Sequence, residues 1–576
     1  MSTRHAATGF IEHVDLLVIG SGAGGLSCAV TAAHLGLKVL VVEKDALIGG
    51  TTAWSGGWMW IPRNPLAVAA GIVEDIETPL SYLRHELGLQ FDEPRLRAFL
   101  EAGPRMVEFF RSKTALQFID GNGIPDFHGR SPDAATGGRS VCAAPFDGKQ
   151  LGKFVHKLKP PLWDTTLWGM GIAAGAELRH FLNATRSPAS FWQVAGLLLR
   201  YGRDCLWHGR GMRLVNGHAL AAGLLASAID AGVSVRTESP ATSLIKDQGR
   251  VIGGRISTAA GELEVRARCG VVLACGGFPH DVARKKALLP HAPTGAEHWS
   301  AASMGNTGDG LRLGEAAGGV IGGVAGRDFL QCAALAPVSL VPQKDGSFAH
   351  FAHLVERGKP GLIAVTPNGQ RFANEADSYY DFVCALLKAT PLGQPVQAWL
   401  IADHSFIRRY GLGAVKPAPM PLEHWLGNGY LVRAASVAKL AQACQIDAQA
   451  LQATIENYNV MAQSGSDTEF AKGETPYNRM QGDAAAGQAN PCMAPLQQGP
   501  FYAVKVVVGS LGTFAGLKVN AQAQVLNSAG DPIAGLYAAG NDMASVMGGH
   551  YPSGGITLGP AMTFGFLAAH DAAGRF

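Results

Sequence analysis

Tyr551 stands in GGHYPSGGITLGPAMTFG, residues 548–565, where six glycines and two prolines surround one phenol. Glycine permits positive φ and lets a main chain approach another group closely, at an entropic cost. A tight turn ahead of a helix rarely needs so many glycines. The stretch therefore reads as a place where backbone N–H groups and the Tyr551 hydroxyl converge on a ligand. The rest of the chain must say which ligand.

The first element able to hold one is VDLLVIGSGAGGLSCAVTAAHLGLKVLVVEKD, which reads as strand, glycine turn, helix, strand. Val14 to Ile19 is a nearly all-apolar run suited to a parallel strand covered on both faces. Gly20, Gly22 and Gly25 supply G-x-G-x-x-G, with Ala23 and Gly24 inside it. Such a loop brings a pyrophosphate to a helix N-terminus, where free N–H groups and the dipole meet its charge. Glu43, followed by Lys44, ends the second strand about 20 residues on, where a carboxylate accepts hydrogen bonds from a ribose. NAD and FAD both fit so far. The next loop, IGGTTAWSGGWMWIP, separates them. Gly50, Thr51, Thr52, Ser55, Gly56 and Gly57 offer the backbone and hydroxyl donors a flavin needs along its ribityl chain and ring edge. GVVLACGGF, with Gly276 and Gly277, and GLYAAGND, with Gly540 and Asn541, are two more apolar strands ending in glycines. A chain that returns to its first domain at its end suits a long cofactor, so FAD, held non-covalently, is expected.

Composition agrees. A chain of 576 residues exceeds the usual single domain. Charged residues are 16% and glycines number 74, against about 25% charged and about 7% glycine in an average soluble protein. That profile belongs to a large interior with many close backbone approaches. The net charge is +3 and no Lys/Arg run forms a patch, which argues against a nucleic-acid partner. Nine scattered cysteines without C-x-x-C or metal-ligand spacing read as reduced thiols, with no metal expected. The opening MSTRHAATGFIEHVD has no apolar signal region, and a cytoplasmic location is expected. Trp163, Trp168, Trp192 and Trp207 fall in a mixed apolar and basic region. They are expected to pack among buried helices, with peripheral membrane contact as the other use.

Taken together, GSGAGG, EKDALIGGTTAWSGG, GVVLACGGF, GQRFANEADSYYDF, GLYAAGND and YPSGGITLGPAMTFG resemble the flavoproteins of the fumarate reductase and 3-ketosteroid dehydrogenase group, in its ketosteroid dehydrogenase branch. The resemblance covers nearly the whole chain. It implies an α/β fold with a Rossmann-like FAD-binding domain built from both chain ends, residues 1–280 and 501–576. An α+β catalytic domain, residues 281–500, is inserted between them. The segment GMRLVNGHALAAGLLASAIDAGVSV is expected to return to the flavin domain as helix and strand. Fumarate-reductase-like enoate reduction is the contrasting activity, but it needs arginines on two carboxylates. Here the last motif offers His550, Tyr551 and Ser553 and no arginine.

What the resemblance implies is an FAD-dependent dehydrogenase acting on a CH–CH donor beside a ketone. Tyr551 O–H and the Gly555 N–H would bind the ketone oxygen, a two-donor arrangement suited to a developing enolate. Gly555 and Leu558 would also lie against the cofactor. Tyr379, beside Tyr380, matches the base position. By the same resemblance Phe127 stands where steroid 1-dehydrogenases carry a supporting tyrosine, and it cannot hydrogen-bond. The Tyr551-x-Ser553 pattern resembles the 4-dehydrogenases of 5α-3-ketosteroids, where a serine joins the proton relay. The expected substrate is a hydrophobic 3-ketosteroid, desaturated at Δ1 or at Δ4. A smaller cyclic ketone such as an oxocyclohexane carboxylic acid is the alternative, and a flavin-bound electron-transfer module is the reading from another class. An external electron acceptor such as a quinone is the implied partner.

Overall fold

A computed structural model describes residues 10–323 and 332–575. The nearly continuous apolar run before the first glycines forms strand Phe10–Ile19, whose segment Leu16–Ile19 is buried on both faces. It lies in the middle of a parallel sheet, between Gly261–Leu273 on one side and Val39–Val42 on the other. Ser234–Arg236 extends the sheet beyond Val39–Val42, and Pro532–Ala538 extends it beyond Gly261–Leu273. The strand near the C-terminus thus sits two places from the first strand, as a chain returning to its starting domain requires. Two antiparallel strands, Ala241–Asp247 and Arg250–Thr258, continue from the edge of Gly261–Leu273.

Helix Ala23–His34 follows the first glycine turn and is buried along most of its length. It packs against the C-terminal helix Leu558–Ala572 and against Asn216–Asp230, the helix that leads into strand Ser234–Arg236. Small residues make this possible. A Cβ on Gly25 would meet the Gly20 carbonyl oxygen at 2.1 Å, and one on Gly565 the Gly24 oxygen at 2.4 Å, separations that no side chain can occupy.

The second sheet is antiparallel in the order Phe348–Ala352, Ala333–Pro342, Phe501–Thr513, Gln397–Ala402, Leu362–Val365. Its central strand, Phe501–Thr513, lies in the segment expected to belong to the flavin domain. The boundary at residue 501 is therefore one strand too early: hydrogen bonds to Ala333–Pro342 and Gln397–Ala402 hold that strand in the inserted sheet through Thr513. A run as apolar as AVKVVV fits either sheet, and only its partners decide. Against this sheet lies helix Tyr379–Ala389, capped by Ser378, whose Oγ accepts the Asp381 N–H at 3.1 Å. A small third sheet, Trp58–Trp60, Ser140–Ala143 and Phe118–Asp120, closes one side of the site.

Candidate active site

Strands Phe10–Ile19, Gly261–Leu273 and Pro532–Ala538 end at one edge of the first sheet, where a cleft of about 1330 Å³ begins. Ligands of open α/β sheets bind at this carboxyl edge. The helix N-terminus there is Gly22, with no side-chain cap, and the Ala23 N–H donates to Thr52 Oγ1 at 2.9 Å. The N–H groups of Gly24 and Gly25 have no acceptor among the described residues. Glu43 Oε2 accepts from Ser21 N–H at 3.1 Å and Ser21 Oγ at 2.6 Å, and Oε1 from Asp45 N–H at 3.0 Å. Lys44 turns aside from Glu43 to Thr307, at 2.7 Å, and to Asp309. Thr51 Oγ1 accepts the Ser303 N–H at 2.9 Å and the Asn306 amide at 3.0 Å. Gly57 lets the loop rest on helix Asn216–Asp230, since a Cβ there would sit 2.5 Å from the Asn216 carbonyl carbon.

These residues fit FAD. Open helix N–H groups, a glycine turn that admits no side chain, a carboxylate at the second strand and hydroxyls further along line one cleft of about 1330 Å³. The cleft lining includes Gly20, Gly22, Ala23, Gly24, Glu43, Lys44, Gly50, Thr51, Thr52, Ser55, Gly56, Gly57, Gly276, Gly540, Asn541, Gly555 and Leu558. Two expected contacts lie elsewhere. Gly25 packs helix on strand behind the cleft wall, and Gly277 sends its N–H to Asp542 Oδ1 at 2.9 Å. Both are glycines that framework packing requires, which a motif cannot separate from ligand contact.

At the far end of the cleft the two phenols meet. The Tyr379 and Tyr551 rings cross at 5.0 Å and 80°, and their hydroxyls are hydrogen-bonded to each other. Thr557 also hydrogen-bonds Tyr551. The loop carrying Tyr551 is held by its backbone: Pro552 O accepts from Tyr82 Oη at 2.7 Å and from Phe127 N–H at 3.0 Å, and Gly549 O accepts from Tyr380 Oη at 2.8 Å. Gly555 has φ +96°, and its carbonyl accepts the Trp60 N–H at 3.1 Å. The Gly555 N–H has no acceptor among the described residues. A Cβ there would lie 2.7 Å from Trp58 O, so glycine is required. Phe127 stacks on Tyr551 at 5.8 Å and meets Tyr379 edge-on at 5.6 Å.

Burial, then the neighbouring Tyr551, raises Tyr379 well above the usual phenol range, while Arg357 acts the other way. Burial pushes Tyr551 up to about 12, against the favourable bonds from Tyr379 and Thr557. Both phenols are protonated at neutral pH, and of the two Tyr551 has the more stabilised anion. The segment leading into Tyr379 is fixed by buried ions: Arg371 holds Glu375 at 2.9 Å and Asp467 at 2.8 Å, and Lys472 holds Glu375 at 3.1 Å.

Ser553 does not line the cleft. It is buried behind it beside Asp126, whose carboxylate is taken up by Trp60 Nε1 at 2.8 Å and Arg139 at 2.7 Å. Three features of the site carry no motif. Tyr477 lies 4.4 Å from Phe127 in the cleft wall and accepts from Gln481 Nε2 at 2.7 Å. His128 bridges Glu86 and, at 2.9 Å, Asp381, tying the Phe127 loop to the Tyr379 helix. Lys359 reaches the cleft with its ammonium on Gly482 O at 2.7 Å. Gln481 apart, their partners are remote in sequence, so no spacing announces them.

Comparison with known proteins gives the same direction. A family model described as an FAD binding domain matches residues 15–558. The chain is 36% identical to 4-oxocyclohex-2-ene-1-carboxylate 5-dehydrogenase of Sinomonas cyclohexanicum, over 97% of this chain and 93% of that one. It is 35% identical to 3-oxosteroid 1-dehydrogenase of Mycolicibacterium smegmatis, over 98% and 97%. Among solved structures it resembles 3-ketosteroid delta1-dehydrogenase from Sterolibacterium denitrificans in complex with 1,4-androstadiene-3,17-dione. That match has 36% identity and a TM-score of 0.89, over 98% of this chain and 100% of the other.

Proposed function

The chain belongs to the FAD binding domain family and is an FAD-dependent oxidoreductase of the group that includes the 3-oxosteroid dehydrogenases, and from that premise we propose that it desaturates a 3-ketosteroid at the Δ1 bond of ring A. The observation that carries this reading is the hydrogen-bonded pair Tyr379 and Tyr551, with the Gly555 N–H, on the wall of the same cleft that starts at the dinucleotide loop. Electron transfer alone needs no such pair.

Tyr551 O–H and Gly555 N–H hold the ketone oxygen, and their bonds strengthen as charge moves onto it. The α C–H is thereby acidified, and Tyr379 removes the proton as its phenolate. FAD, when bound, accepts the hydride lost from the β carbon. Phe127 and Tyr477 keep water from the carbanionic face, and Phe127 offers the base no hydrogen bond. Ser553, behind the wall, is in no position to relay a proton, which favours Δ1 over Δ4. The last motif lacks the arginine that enoate reduction of a dicarboxylate uses. Re-oxidation falls to an external acceptor, a quinone in this reading.

One observation favours a second substrate. Lys359 presents a half-buried ammonium to the cleft, its pKa lowered by burial, where it would pair with the carboxylate of an oxocyclohexane carboxylic acid. Steady-state turnover with an artificial acceptor, on a 4-ene-3-ketosteroid, a 5α-3-ketosteroid and an oxocyclohexane carboxylate, tests the two. A 1,4-diene from the 4-ene steroid supports the first reading. Turnover of the keto acid alone replaces it with the second.

A further inference from the structure

Two departures from ordinary burial mark this chain. Trp163, Trp168, Trp192 and Trp207 are exposed, which corrects the expectation that they pack among buried helices. Arg357 is the reverse case, a cation only 1% exposed. Buried charges are as a rule paired, yet Arg357 has no ion pair among the described residues. Its donors go to three carbonyls instead: Nε to His353 O at 3.1 Å, Nη1 to Glu375 O at 2.9 Å and Nη2 to Asp377 O at 3.2 Å. The carboxylates around it are engaged elsewhere. Glu356 is held by His353 at 2.6 Å, and Glu375 by Arg371 at 2.9 Å and Lys472 at 3.1 Å. Asp377 accepts from Asn478 Nδ2 at 2.9 Å, and Asp381 is held by His128 at 2.9 Å.

The place of this guanidinium gives it a use. Arg357 belongs to the short turn Glu356–Gly358, and its guanidinium lies 4.6 Å over the Phe382 ring on helix Tyr379–Ala389. Two of its acceptors, Glu375 O and Asp377 O, belong to the segment that runs into that helix, whose first residue is Tyr379. Tyr379 and Tyr477 line the cleft and Arg357 does not, so the charge stands behind the wall, out of reach of a substrate. A cation away from water acts strongly on a neighbouring phenol, since little solvent screens it. Burial raises both Tyr379 and Tyr477, and Arg357 opposes it at each. The amino end of the helix adds its own positive potential at Tyr379.

We propose that Arg357 is a positioning residue whose uncommitted charge supports the Tyr379 phenolate from behind the cleft wall. The inference rests on the reading of Tyr379 as the base, and it holds for a steroid or a keto acid alike. The FAD-loaded chain is mixed anaerobically with a 4-ene-3-ketosteroid and, in parallel, with an oxocyclohexane carboxylate, and bleaching of the oxidised flavin band is timed from about pH 7 to about pH 10. Arg357→Gln keeps a donor for the carbonyls and loses the charge. It is expected to retain FAD absorbance and to slow bleaching at least about tenfold. On a Tyr379→Phe background the same change is expected to add less than about twofold. Arg357→Lys keeps the charge near neutral pH and is expected to bleach there within about threefold of wild type. Burial weakens a cation at this site even with Tyr477 and Glu356 nearby, and lysine titrates where arginine does not. The lysine variant is therefore expected to level off toward about pH 10 while wild type still climbs, and this profile carries the test alone should Arg357→Gln fail to fold. Arg357→Gln that bleaches like wild type overturns the inference and leaves Tyr379 as base, as does a lysine profile parallel to that of wild type. An equal loss with and without the Tyr379 hydroxyl assigns Arg357 to the framework and also overturns it. Wild type that bleaches with neither ketone, or Tyr379→Phe that bleaches as fast as wild type, removes the reading of the base and the inference with it.

Discussion

In the proposed reaction Tyr551 and Tyr379 divide the work according to what surrounds them. Tyr551 is hydrogen-bonded to Tyr379 and Thr557 and lines the cleft with Gly555, whereas Tyr379 carries the larger upward shift and, in the proposed reaction, must lose its proton to act. Turnover is therefore expected to rise with pH between about pH 7 and pH 9 without a plateau, because a base raised above the phenol range is ionised in only a small fraction throughout. A rate independent of pH there would remove Tyr379 as base. Tyr551→Phe and Tyr379→Phe are each expected to lower kcat by about 10²–10³-fold with FAD absorbance unchanged. Phe127→Tyr is expected to raise turnover, since its ring already touches both phenols and a hydroxyl there would support the base. Both tyrosines were legible in the sequence, one from its glycines and the other only by resemblance. The place of Ser553 was not, because a serine two residues from a cleft tyrosine points to the opposite side of a sharply turning loop as readily as to the same side.

At the scale of elements, the site depends on two attachments. The first is the glycine turn before helix Ala23–His34, which was legible because strand, glycines, helix and acidic residue all lie within one short segment. Gly20→Ala is expected to yield folded chain without FAD, as its Cβ would strike the Ala274 oxygen at 2.2 Å; retention of the yellow colour would contradict this. The second is the bridge Glu86, His128, Asp381, invisible in sequence because its members are far apart. Burial alone would lower His128, but the bonds to Asp381 and Glu86 outweigh it and push it up to about 11. A raised imidazole contributes stability in full below its unfolded pKa of about 6.5, and that contribution is lost as pH rises toward the folded value. In urea unfolding the advantage of wild type over His128→Asn is expected to be largest near about pH 6 and to shrink by about pH 10. An advantage that grows with pH would show that His128 is not held as a cation.

For the molecule as a whole, two sheets meet over one cleft, with the dinucleotide turn at one end and the phenols at the other. The parallel sheet was readable because buried parallel strands are apolar runs. The extent of the inserted sheet was not, since Phe501–Thr513 could join either sheet on composition and is assigned by its partners. The same cleft reaches Lys359, so substrate size becomes a question for the whole cavity. Lys359→Met is expected to leave steroid turnover within about twofold and to raise KM for an oxocyclohexane carboxylate by at least about tenfold; a KM for the keto acid that does not move would remove the lysine as a carboxylate partner. The central claim, that paired phenols activate a ring A ketone for loss of hydrogen, is tested most directly by anaerobic mixing of the FAD-loaded chain with one equivalent of a 4-ene-3-ketosteroid, wild type beside Tyr551→Phe. The oxidised flavin band is predicted to bleach in wild type with formation of the 1,4-diene, and to bleach far more slowly in the variant. A band that persists in wild type, or that bleaches equally fast in both, would contradict the account.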